Sequence, residues 1–255
     1  MTAGASPLAQ RAVAVGFLLL IAAAWVGSTG RVAPYLLPPP ADVGRALAAL
    51  VATPARLVHL GATLGHIGAA IAIAFVVGAV LAFTAHYARW SAPAIHQRLG
   101  PFLSAFSGIG WTLLAVIWFG VSSFTVIFTI VAVLLPFALV NLREGLAALD
   151  RELLEMGASF GRGRVRAFRL LVLPALLPFC AATLRIMFGV SWKVALTAEL
   201  FGGGSGLGYV INLARQDYDT ATLFAVIGFI IVAVTLADRL VFGPLERRTA
   251  RQFGG

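Results

Sequence analysis

The stretch "LLAVIWFGVSSFTVIFTIVAVLLPFAL", Leu113–Leu139, holds no charged residue and is broken only by glycine, proline and hydroxyl side chains. A membrane-crossing helix rises about 1.5 Å per residue and needs roughly 20 apolar residues. This block is therefore too long for one crossing, and Gly120-Val-Ser-Ser in its middle marks a tight turn between two helices. Val13–Val26, Ile67–Phe83, Leu170–Val190 and Leu223–Ala237 have the same apolar character. Together the blocks predict an all-α, polytopic membrane protein with six spans. The first block follows Arg11 as a signal peptide would, but no A-x-A pattern comes after it, so it reads as a retained span.

Composition agrees. Of 255 residues, 60% are hydrophobic and 11% charged, about half the charged share of an ordinary soluble domain. A net charge of +9 would suggest nucleic acid in a soluble protein; here arginines held on the cytoplasmic side explain it, and no nucleic-acid partner is expected. Cys180 stands alone in an apolar run and reads as a small buried hydrophobe. His59, His66, His86 and His96 make no metal-ligand spacing on one face, and no carboxylate or cysteine lies near His59 and His66 in the sequence, so no metal site is expected.

Between the first two spans, Tyr35-Leu-Leu-Pro-Pro-Pro reads as a rigid extended segment, because prolines lack the N–H and fix φ. Val43, Leu47, Leu50 and Val51 then recur at helical spacing behind Asp42, which is expected to cap an amphipathic helix lying at the interface. The charged stretch Tyr87–Arg98 separates the second and third spans. Gly61, Gly65, Gly68 and Gly78 fall on or near the second span and are expected to let neighbouring backbones pack closely.

One segment departs from this apolar writing: "RELLEMGASFGRGRVRAFRLLVLPALLP", Arg151–Pro178. Asp150 is placed to cap a short helix with Glu152 and Glu155 in its first turns, where carboxylates suit the positive end of the dipole. Gly161 ends that helix, and Arg162, Arg164, Arg166 and Arg169 hold its exit at headgroup level. Leu173-Pro174 and Pro178 mark re-entry into the membrane.

With Glu155-Met156-Gly157, then Gly161, Leu171 and Leu173-Pro174 at these distances, the segment resembles the "EAA" loop in permease subunits of binding-protein-dependent ABC importers. "LLPPPADVGRAL" at Leu36–Leu47, "VIWFG" at Val116–Gly120, Leu184-Arg185, Ala198-Glu199 and "GLGYVI" at Gly206–Ile211 are similar, in order, to the nitrate/sulfonate/taurine branch. Met156 and Gly157 replace the two alanines of the loop, and Ser107 and Leu113 stand where the family has prolines ahead of the third span.

The resemblance implies a type I ABC importer permease. Its fold would be about six transmembrane helices, a short periplasmic amphipathic helix and a cytoplasmic coupling helix, in one domain over residues 1–255 with the coupling loop at about 143–169. The docking set for the ATPase would be Asp150, Glu152, Glu155, Met156, Gly157, Ala158, Phe160, Gly161 and Arg164. Implied partners are ABC ATPase subunits, a periplasmic or lipid-anchored solute-binding protein, membrane lipid and a second copy of this chain. ATP and Mg would sit on the ATPase. The implied solute is a small anion such as a sulfonate or nitrate, although related permeases also serve cofactor precursors, and the location is the bacterial inner membrane.

The residues themselves limit other functions. A P-loop needs a lysine after glycine, and the single lysine, Lys193, follows Trp192, so this chain binds no ATP through a Walker motif. "GGGSGLG" at Gly202–Gly208 fits neither that motif nor G-x-G-x-x-G and reads as flexible backbone in an outer loop, with contact to a binding protein or gating as the sharper reading. No Ser/His/Asp, Cys/His or paired-carboxylate set lies in the spans, so catalysis is not expected. A stand-alone secondary transporter or channel, the alternative, would show inverted repeats and several intramembrane acids.

Arg185, Lys193 and Glu199 fall in or near the fifth span, where each charge needs a partner or a polar cavity. Structural pairing between helices is the first reading, and a place on the path of an anionic solute the second. Trp111 and Trp192 complete this candidate path set, though packing or anchoring suits them better. With six spans and the N-terminus inside, Arg11, Arg89, Arg98, Arg143, Arg151, Arg162, Arg164, Arg166, Arg169, Arg239, Arg247, Arg248 and Arg251 face the cytoplasm. Arg31, Arg45, Arg56 and Arg215 face outward. That bias favours both termini and the docking loop inside.

Overall fold

The computed structural model describes residues 7–88, 90–149 and 172–244. Among them the regular elements are helices, with one isolated bridge between Thr29 and Val32. In chain order they are α1 (Pro7–Ser28), α2 (Pro40–Ala52), α3 (Pro54–Tyr87), α4 (Pro93–Ala105), α5 (Gly108–Phe119), α6 (Ser123–Ala147), α7 (Leu173–Gly202), α8 (Leu207–Gln216) and α9 (Thr220–Phe242). The protein is an all-α integral membrane protein: α3, α6, α7 and α9 are each long and apolar enough to cross a bilayer.

α4 and α5 pass the same test only as a pair, bent by 86°. The 12 residues of α5 reach only about 18 Å, so α5 alone does not make the expected third span, and the apolar stretch there is a bent pair of helices that starts at Pro93. Ser107 sits at the break with extended backbone, and its Oγ accepts from the Gly110 N–H at 3.3 Å. Where the family resemblance led to proline, a capping hydroxyl starts the second limb. The turn at Gly120–Ser122 is as expected: Gly120 has φ 69°, Ser122 caps α6 through the Thr125 N–H at 3.2 Å, and Thr125 Oγ1 donates to the Gly120 carbonyl at 2.6 Å. α1 is 22 residues long.

The chain divides into two compact units. One takes residues up to Leu57 together with Ile211–Phe229. In it, the segment before α2 is less extended than its prolines suggest, because the Leu36 and Leu37 N–H groups turn back to the Ala33 carbonyl and Pro40 opens α2. Proline at the first helical position loses nothing, since that N–H has no intrahelical partner. Proline carbonyls remain acceptors: Trp25 Nε1 donates to Pro38 at 3.0 Å and Thr220 Oγ1 to Pro34 at 3.1 Å. Asp42 is not the cap of α2. It lies in the first turn and pairs with Arg45. Asp219 instead caps α9 through the N–H and hydroxyl of Thr222.

The other unit holds Val58–Val210 and the residues from Ile230 onward. Ala82 of α3, Leu142 and Leu146 of α6, and Val172 and Leu176 at the start of α7 form a buried cluster. Close crossings rest on glycine: a Cβ on Gly78 would lie 2.5 Å from Ala138 Cβ, and one on Gly145 would lie 2.8 Å from the Phe179 ring. Gly61, Gly65 and Gly68 differ from expectation, since a Cβ on any of them meets nothing within 4 Å among the described residues. Of the four glycines on this span, Gly78 alone packs against another helix among the described residues.

Candidate functional site

His59, Thr63 and His66 recur at i, i+4 and i+7 and so share one face of α3. Facing them, one turn before the end of α7, is Glu199, with 0% of its surface exposed. Its Oε2 accepts from Thr63 Oγ1 at 2.9 Å and from the Gly208 N–H at 2.9 Å; its Oε1 meets His66 Nδ1 at 2.8 Å. A carboxylate oxygen only accepts, so His66 carries its proton on Nδ1. Thr63 also accepts the Leu207 N–H at 2.7 Å, and His59 Nδ1 accepts the Gly206 N–H at 3.3 Å, which puts the His59 proton on Nε2.

Three successive N–H groups at the start of α8 are thus each held by a side chain from α3 or α7. These are orphan donors of a helix N-terminus, where negative charge is favoured. Glu199 supplies that charge internally, so the N–H groups that would cradle a phosphate are already engaged. The glycine-rich loop is therefore a fitted strap and not slack backbone, which corrects the sequence reading. Gly206 has φ 110° and an added Cβ there would overlap the Glu199 carboxylate. A Cβ on Gly208 would overlap the Leu196 carbonyl, and one on Gly203 would lie 2.8 Å from Glu199 Cα. The Gly202 carbonyl receives the Ser122 N–H at 2.9 Å, tying the α5–α6 turn to the same end of α7.

The remaining candidate path residues do not gather here. Arg185 of α7 pairs with Asp238 of α9, Nε to Oδ1 at 2.6 Å and Nη2 to Oδ2 at 3.0 Å. Trp111 is buried among Phe102, Phe106 and Phe128, and its Nε1 donates to the Leu103 carbonyl at 3.1 Å. It is a packing residue. Trp192 is 2% exposed and edge-on to Phe188, with no acceptor for its indole N–H among the described residues. Lys193 is exposed and, among the described residues, makes no ion pair. The docking set Asp150, Glu152, Glu155, Met156, Gly157, Ala158, Phe160, Gly161 and Arg164 lies outside the described residues.

Thr63, His66 and Asp238 were not singled out as site residues from sequence. The signal for the first two was their helical spacing with His59 on an otherwise apolar helix. Asp238 gave only a carboxylate at the end of the last apolar run. Its pair with Arg185 predicts that Arg185→Asp or Asp238→Arg alone lowers purified yield several-fold, roughly 1–2 kcal/mol for a half-exposed pair between membrane helices. The double exchange is expected to restore most of it, measured by size-exclusion recovery; no recovery in the double variant would remove the pairing from the fold's support.

The family model described as binding-protein-dependent transport system inner membrane component matches residues 20–251. The chain is 27% identical over 251 residues to the taurine transport system permease protein TauC of Escherichia coli (strain K12), covering 94% of this chain and 89% of that one. It is 30% identical over 245 residues to the putative aliphatic sulfonates transport permease protein SsuC of Bacillus subtilis (strain 168), covering 91% and 85%. The formylaminopyrimidine transport permease protein ThiX of Halalkalibacterium halodurans is 29% identical over 214 residues, 82% and 83% of the two chains.

Proposed function

Because the chain belongs to the family of binding-protein-dependent transport system inner membrane components, we propose that it is the permease subunit of an ATP-driven ABC importer and forms the passage for a small organic anion of the sulfonate type. The family match across residues 20–251 carries this reading. The solute class draws on relatives whose names specify taurine and aliphatic sulfonates. Lys193, which makes no ion pair among the described residues, favours an anion.

On this reading ATP is hydrolysed by separate ABC ATPase subunits carrying ATP and Mg, and a solute-binding protein delivers the solute from outside. Two copies of the chain, each with one docking loop, would meet the two ATPase subunits in the inner membrane. The arginine asymmetry supports six crossings with both termini in the cytoplasm. The buried Glu199 seat would keep the outer glycine strap registered with α3 and α7 as the helices move, which suits a permease better than a static scaffold. The loop around Asp150–Gly163 would take the push of the ATPase.

Gly161→Arg tests the assignment. The variant permease is expected to insert normally, lose at least about nine-tenths of ATP-driven uptake, and retain less co-purified ATPase, as expected of a charge placed in a close docking contact. Undiminished uptake with full ATPase retention would sink the docking role.

A further inference from the structure

The three N–H groups that open α8 are held unequally. Thr63 Oγ1 takes that of Leu207 at 2.7 Å and Glu199 Oε2 that of Gly208 at 2.9 Å, both from fully buried side chains. His59 Nδ1 takes that of Gly206 at 3.3 Å from a half-buried ring. A neutral imidazole has one acceptor nitrogen, and here it is spent on Gly206. A second proton turns that nitrogen into a donor, and a ring flip does not restore the bond, because both nitrogens of an imidazolium donate. His66 responds differently. Its Nδ1 already donates to Glu199, so a second proton enters at Nε2 and leaves that bond in place.

The groups around the ring act in the same direction. From α8, Tyr209 lies against it with 5.5 Å between ring centroids. From α7, the Glu199 carboxylate lies directly beneath Gly206, where an added Cβ would overlap it. A charge gained by His59 is therefore drawn toward Glu199 and away from the N–H that the ring held. On α3 itself, Arg56 stands three residues before His59 and His66 seven after, and His59 makes no ion pair among the described residues. We infer that His59 is a proton-operated latch on the glycine strap. With a neutral ring the strap is closed at Gly206; with a charged ring it opens there, while Leu207 and Gly208 stay seated. Histidine is the side chain that changes charge between about pH 5 and 8. In the six-crossing reading proposed above this end of α3 faces outward, so external acid works the latch.

The test is amide hydrogen exchange of the full-length permease in lipid nanodiscs, both faces open to buffer, resolved to single residues and corrected for the intrinsic rate at each pH. In wild type, protection at Gly206 is expected to fall about ten-fold between about pH 8 and pH 5, the worth of one hydrogen bond. Protection at Leu207 and Gly208 is expected to hold. His59→Gln, whose amide oxygen accepts at either pH, is expected to keep Gly206 protected at both. His59→Leu, with no acceptor, is expected to leave Gly206 about ten-fold less protected at both. Equal wild-type protection of Gly206 at the two pH values overturns the latch. A fall shared by Leu207 and Gly208 overturns it too, since that is the mark of Glu199 taking the proton and the whole seat coming loose. A ten-fold fall that persists in His59→Gln places the proton on another group and overturns it as well.

Discussion

Glu199→Ala is expected to lower the stability of the purified permease by at least about 3 kcal/mol, because it strips the acceptor from three buried donors and each orphaned donor costs about 1–3 kcal/mol. Those donors are Thr63 Oγ1, His66 Nδ1 and the Gly208 N–H. Glu199→Gln should fall between wild type and Ala. Its amide keeps one acceptor oxygen but turns an NH₂ toward groups that also donate. Thermal unfolding in detergent reads the loss, and limited proteolysis at Gly203–Gly206 reads release of the strap. The assay also separates two roles for this carboxylate. A structural seat loses stability and uptake together, whereas a residue lining the path would lose uptake in a protein of normal stability. A Glu199→Ala variant that unfolds within about 0.5 kcal/mol of wild type, the range of inert surface changes, would rule out the seat.

Much of the fold was legible because lipid imposes simple demands. A helix must be apolar for about 20 residues, and α3, α6, α7 and α9 announce themselves that way. The turn at Gly120 was legible too, since Gly120-Val-Ser-Ser supplies both a positive φ and a cap. The break between α4 and α5 was not, because its signal is only Ser107-Gly108, a short turn dipeptide inside an otherwise apolar run. Asp42 showed how a good capping residue misleads: Pro39 and Pro40 had already fixed the start of α2, leaving Asp42 inside the first turn. The seat of Glu199 depends on contacts more than 130 positions apart in sequence. The helical spacing of His59, Thr63 and His66 was passed over, Glu199 stood as a lone acid, and nothing local shows that they meet. The proposed docking loop rests on the family resemblance of Glu155–Gly161 alone and lies outside the described residues.

Two glycines of one loop are expected to respond in opposite ways to the same change. Gly206→Ala should cost about 2–4 kcal/mol, since φ 110° alone strains a residue with a side chain by about 1–3 kcal/mol and the new methyl must also displace Glu199. Gly204→Ala, two residues earlier, has open space around its Cβ and should stay within about 0.5 kcal/mol of wild type, or gain slightly from a less flexible unfolded chain. Gly208→Ala should resemble Gly206→Ala, because its obstacle is the Leu196 carbonyl, which belongs to the α7 backbone and cannot swing aside. Unfolding midpoints for the three variants, with ATP-driven uptake alongside, decide between two accounts of the same letters. A flexible spacer would accept alanine at all three positions alike. A strap fitted to a buried carboxylate accepts it only where the chain faces open space, and loses stability and transport together at Gly206 and Gly208.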